Sequence, residues 1–249
     1  MILGLEFPPI ENIVEWPSAG PGFNKIALIN VIALVATFLI FFLAGRQRAL
    51  VPRGVQNVAE MSIEFIEKQV IEPGIGHGGE KYFATLTTLF FFIFFGNITE
   101  VIPFFNMPAN ARMAGPLIMA LFAWAMFIGV GIKHHGLGYF AGALFPPGVP
   151  KALYILVTPI EFLSTFLVRP FSLAVRLFAN MLAGHILLVT FSVLCITLWT
   201  LSLLVVALPF SFFMLVALTG FEVMVALLQA YIFTILTAVY IGGALHPEH

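Results

Sequence analysis

Apolar residues run through this chain in stretches long enough to cross a bilayer, and short polar segments separate them. Residues 26–44 form the first stretch, close to the roughly 20 apolar residues that a hydrocarbon layer about 30 Å thick requires. Within residues 45–81 the pattern changes to helical amphipathicity. Val55, Val58, Phe65, Ile66 and Val70 fall on one face, against Glu60, Glu64, Glu67 and Lys68 on the other. This predicts a helix lying on the membrane surface or against a partner. Residues 82–106 and 114–132 are the second and third spans, joined by a short turn containing Pro108 and Asn110. A Gly- and Pro-rich loop at 136–150 follows, unsuited to a helix interior. Residues 152–200 then stay apolar, with Pro159 and Pro170 the only breakers. At 1.5 Å per residue such a helix would run to about 75 Å, more than twice the hydrocarbon thickness. It therefore either breaks into two elements, or lies strongly tilted, or both. Residues 209–241 are likewise too long for one upright span. The fold class is all-α integral membrane, with about five crossings.

Charge orients this pattern. Lys25 alone precedes the first span, whereas Arg46, Arg48 and Arg53 follow it. By the positive-inside rule, residues 1–25 lie outside and 45–81 in the cytoplasm, which leaves His246–His249 cytoplasmic. The first 25 residues lack the basic start and immediate apolar core of a signal peptide, and read as a retained external segment. With 61% hydrophobic and 9% charged residues and a net charge of −1, the chain offers no basic patch for nucleic acid. It holds no aspartate, and Cys195 stands alone as a small hydrophobe, so no disulfide framework is expected.

The candidate chemistry sits in the last two long segments. Between Pro170 and Pro247 the only fully charged side chains are Arg176 and Glu222. A charge at membrane depth costs about 2.5–3.5 kcal/mol on insertion scales, so such residues point to an ion pathway. Arg169, Arg176 and Asn180 fall within about 60° of one another on a helix. His185 projects from roughly the opposite face. Glu222 and Gln229, seven apart, share a stripe on the final helix. Ala174, Ala179, Ala183 and Gly184 would let another helix approach closely. Other readings compete: Arg176 and Glu222 as a buried ion pair that fixes packing, or His185 satisfied by a backbone carbonyl. Glu100, near the end of the second span, either snorkels to the interface or belongs to a water-filled entrance. His134 and His135 are adjacent and so point apart, which suits a helix end better than a metal site. His77 reads as a solvated loop residue.

The run RPFSLAVRLFANMLAGHILL at 169–188 closely resembles the signature of ATP synthase subunit a, the static half of a proton-driven rotary motor. GNITEVIP, PANARM, PIEFL and LTGFEVMVALLQAYIFTIL extend the resemblance over most of the chain after Tyr82. It implies that Arg176 faces the carboxylates of a rotating ring of small helical hairpins, subunit c, with Asn180 and Gln229 flanking it and Arg169 in support. It implies that His185 and Glu222 belong to an outer half-channel, Glu100 and Asn97 to its entrance, and Glu161 to the cytoplasmic exit. Many bacterial members carry the carboxylate first and the histidine second. Here the order is reversed, as in mitochondrial and related alphaproteobacterial forms, a swap that makes sense if the two side chains touch. Glu161 stands nine residues before Pro170, one more than is usual in the family.

The resemblance further implies a tilted C-terminal hairpin curving around the ring, other partners including the peripheral-stalk subunit b, a plasma-membrane location and no cofactor. The chain would have no catalytic site of its own. Protons would enter past Glu100, His185 and Glu222, protonate a rotor carboxylate, and leave past Glu161 after that carboxylate meets Arg176. Two rival readings are a secondary transporter using Arg176 to bind an anionic substrate, and a membrane metalloenzyme built on His77, His134 and His135.

Overall fold

A computed structural model describes residues 24–46, 53–102, 105, 107–136, 138–145, 153–200 and 204–246. The external segment expected at 1–25 lies almost wholly outside the described residues, whereas the loop expected at 136–150 is described at 136 and 138–145 and holds a short helix, because its prolines all come after residue 145. All regular structure among the described residues is helical. Helix α1, Lys25–Arg46, begins where the Asn24 side chain accepts a hydrogen bond from the Ala27 amide at 3.0 Å, an N-cap that satisfies one orphan donor. It buries only a narrow ridge, Ile29, Ala33 and Thr37, spaced four apart on one face. Much of the rest, including Phe38 and Phe42, is exposed, as suits a helix with one side toward lipid. Its polar side chains serve themselves: Thr37 donates to the Ala33 carbonyl at 2.8 Å and Asn30 to that of Ile26 at 3.1 Å, which lets them sit in apolar surroundings.

Helix α2, Val55–Ile66, runs into a π turn at Glu67–Ile71. Its apolar face divides. Gln56, Ala59, Ile66, Val70 and Ile71 are buried, while Val55, Val58, Met61 and Phe65 remain exposed. The single face expected from the sequence is thus two adjacent stripes, only one of which meets the bundle. On the outward side Lys68 pairs with Glu64 at 2.6 Å, and the ammonium holds that carboxyl below the usual carboxylate range. The bundle contact is anchored by Tyr231, whose hydroxyl donates to the Gln69 carbonyl at 3.3 Å. Gly242 lies against the Gly74 carbonyl so closely that a Cβ there would collide with backbone.

Helix α3, Phe83–Ile98, and helix α4, Ala114–His135, form the bundle interior. Helix α5 is the short Gly138–Leu144. Helix α6, Tyr154–Leu163, a π turn at Ser164–Val168 and helix α7, Arg169–Thr200, then make one rod, of which 46 residues are apolar enough to span. The last helix, α8, covers Leu208–Leu245. Among the described residues, five helical stretches are long and apolar enough to cross a membrane. Helix α8 packs on α3, α4 and α7, and α7 also packs on α4. Leu86, Ile93, Phe127, Leu173, Leu177, Met181 and Ile241 fill the centre. Because lipid tails are as apolar as leucine, this association rests on close packing and internal hydrogen bonds more than on water exclusion. At one end, the ring of His135 donates from Nε2 to the Leu245 carbonyl at 3.2 Å, capping α8.

Candidate functional site: a split polar helix

Helix α7 carries two chemically different faces. Arg176 and Asn180 are exposed, and the neighbouring exposed positions are the small Ala179 and Ala183. Nine residues after Arg176, about half a turn away in angle, His185 is only 3% exposed. That inward direction follows from the register of Leu173, Leu177, Met181 and Gly184, which are all buried against neighbouring helices.

Three titratable side chains gather on the inward side. Glu100, just past the end of α3, is 3% exposed, and its Oε1 lies 3.7 Å from His185 Nδ1. That separation is within ion-pair range but too long for a direct hydrogen bond. Of the two readings of Glu100, snorkelling to the interface is therefore replaced by burial beside the histidine. Glu222 of α8, also 3% exposed, lays its carboxylate against Gly184, in the space that any side chain there would fill. One oxygen of each carboxylate, Glu100 Oε1 and Glu222 Oε2, has no hydrogen-bond partner among the described residues. Buried polar atoms normally find one. A cavity of about 270 Å³ opens beside Glu100 and His185, lined also by Ser192 and Thr219, which is room for more than one water molecule.

The remaining site residues lie apart from this cluster. Gln229 is buried two turns along α8 from Glu222, whereas Asn180 is exposed. Asn97 is 1% exposed and accepts a 2.6 Å hydrogen bond from Asn110. The turn that brings Asn110 there is held by Ala109 donating to Gly96 and by Thr99 donating to Gly96 and Met107. Glu161 is half-buried on α6. Arg169 places its guanidinium 5.1 Å from the centre of the Tyr240 ring, a cation–π contact joining α7 to α8. Among the described residues no three His, Cys, Asp or Glu side chains converge as metal ligands.

Comparison with known proteins gives the family. The family model described as ATP synthase A chain matches residues 27–242. The chain belongs to the ATP synthase subunit a family. Subunit a of Frankia alni is 43% identical over 248 residues, covering 94% of this chain and 84% of the relative. That of Rhodococcus erythropolis is 42% identical, covering 97% and 88%, and that of Allorhizobium ampelinum 42%, covering 96% and 95%. As a subunit a, the chain is a multi-pass membrane protein of the ATP synthase membrane sector. Three features of the site escaped sequence reading. Gly184 was visible only as a small residue among several, Asn110 only as a turn residue, and Tyr240 as one more aromatic in an apolar helix.

Proposed function

We propose that this chain conducts protons through two offset half-channels to and from the carboxylates of a rotor ring of subunit c, with Arg176 separating the two paths. Proton flow down its gradient would then turn the ring and drive ATP synthesis elsewhere in the complex. The observation that carries this reading is the division of α7: a permanent cation on the exposed face, and a carboxylate–imidazole–carboxylate cluster on the buried one. Arginine stays protonated in proteins, where a lysine in the same place could lose its charge. Its exposure, with small Ala179 and Ala183 alongside, leaves it free to meet a group that another chain supplies.

The entry path runs through the cavity beside Glu100 and His185 to Glu222. Each has a lone pair or ring nitrogen able to take a proton and hand it on, and the 3.7 Å between Glu100 and His185 suits transfer through a bridging water. A rotor carboxylate protonated there is neutral and enters lipid at low cost. When it returns to Arg176 from the other side, the fixed positive charge favours its ionised form. The proton then leaves past Glu161 toward the cytoplasm. Arg46 at the end of α1 and Arg53 beyond it favour a cytoplasmic α2 and an external N-terminus. Subunit b and the remaining subunits would hold the chain still against the turning ring. The chain itself performs no covalent catalysis in this account.

Glu222→Gln should lower passive proton flux at least tenfold in membranes stripped of the catalytic head, with the complex still assembled. Undiminished flux would remove the cluster from the path. Uptake of a labelled carboxylate by the isolated subunit would instead favour the anion-transporter reading.

A further inference from the structure

The rod that carries Arg176 is not uniformly wound. Five residues, Ser164–Val168, form a π turn between α6 and α7. A π turn takes up one more residue than the α turn it replaces, so everything before it is rotated by about 100° relative to a regular helix. The consequence appears in Thr165. A regular α-helix continued back from Leu173 would turn Thr165 toward the exposed side. It is instead 2% exposed, while Leu167 and Val168 face outward at 61% and 48%.

The same rotation acts on Glu161. Taking Arg176 as the origin, Asn180 lies at about +40° and Arg169 at about +20° around the helix. A regular helix would put Glu161 at about −60°, in the middle of the exposed face. With one residue absorbed by the π turn it moves to about +40°, in line with Asn180. Glu161 is half-buried, as is Arg169 on the same line, whereas Ile160, Phe162 and Leu163 around it are more than half exposed, at 56%, 54% and 51%.

We propose that the π turn at Ser164–Val168 is the device that places Glu161 on the stripe of Arg169, Arg176 and Asn180. One line of polar side chains then runs along the rod from the ring-facing arginine to the exit carboxylate. The role given to Glu161 rests on the proton reading above; its placement by the π turn does not. Two features keep the line fixed. Thr165 is clamped in the bundle, and Arg169 is held on Tyr240. Pro170, which lacks an amide hydrogen, stands immediately after the arginine and removes one α-helical hydrogen bond there.

Single cysteines at positions 160, 161 and 162, labelled in assembled complexes with a membrane-impermeant maleimide applied from the cytoplasmic side, test this. A thiol reacts as the thiolate, so a cysteine facing water labels far faster than one facing lipid. Position 161 should react at least tenfold faster than 160 or 162. Deleting Leu167 removes the residue that the π turn absorbs and should leave the preference at 161. Inserting an alanine after Leu167 should move it to 162. If the rod were regularly wound, the parent would instead label at 162, and the deletion would shift the preference to 161. That pattern overturns the proposal, as do three positions that react alike or not at all. Should a length variant fail to assemble, the parent scan alone still separates 161 from 162. Failure of the proton reading looks different: Glu161→Gln would leave flux unchanged while the labelling pattern held.

Discussion

The outward and inward faces of α7 place polar groups in an apolar element by opposite means. Outward, Arg176 and Asn180 stand exposed among small residues, and in the proposed account the arginine's charge meets a group that another chain supplies. Inward, Glu100, His185 and Glu222 are nearly closed off from solvent, crowded against one another and against Gly184. A permanent charge suits a fixed electrostatic post; groups that exchange protons suit a relay. The contrast teaches that one helix keeps two kinds of polar chemistry apart by half a turn, with the packed bulk of Leu177 and Met181 beside them.

This contrast can be broken from the inward side first. Gly184→Leu should displace the Glu222 carboxylate outright and abolish coupled proton pumping. Gly184→Ala should reduce it about tenfold with assembly intact, because only the flexible end of Glu222 has to move. Assembly measured by co-purification with the ring, beside pumping in vesicles, checks both. Next comes the pair itself. His185→Glu combined with Glu222→His should recover more transport than either single change. Purely additive losses across that double-mutant cycle would argue against coupling.

Smaller effects test the supports. Asn110→Ala leaves the buried Asn97 side chain without its hydrogen-bond donor. It should destabilise the turn by about 1–3 kcal/mol, the usual penalty for an orphaned buried polar group. Hydrogen exchange at Met107–Ala111 reads this out. Tyr240→Leu removes the ring beneath Arg169 and should weaken the α7–α8 contact by about 0.5–2 kcal/mol, seen as a lower melting temperature of the purified complex. The outward face should be unaffected by Asn110→Ala, with passive proton leak no higher than in the parent.

Much of this was legible in the sequence, for physical reasons. Apolar length alone gives helices and crossings, because backbone groups in lipid must be satisfied within a helix. Helical spacing alone separates Arg176 from His185, since nine residues make two and a half turns. What spacing could not supply was the partner across the helix pair. That the small Gly184, and not Ala179 or Ala183, faces Glu222 depends on how α7 and α8 meet. The split apolar face of α2 and the burial of Glu100 depend likewise on neighbours distant in sequence. The two π turns, at Glu67–Ile71 and Ser164–Val168, also escaped prediction. A regular 3.6-residue period was assumed throughout, and an absorbed residue leaves no mark in composition.

The account stands most directly on Arg176. In vesicles holding the assembled complex, Arg176→Ala should abolish ATP-driven proton pumping, and the same membranes stripped of the catalytic head should leak protons passively at or above the parent's rate. A variant that still pumped in coupled fashion, or one that closed the passive path altogether, would contradict the claim that this arginine separates two half-channels.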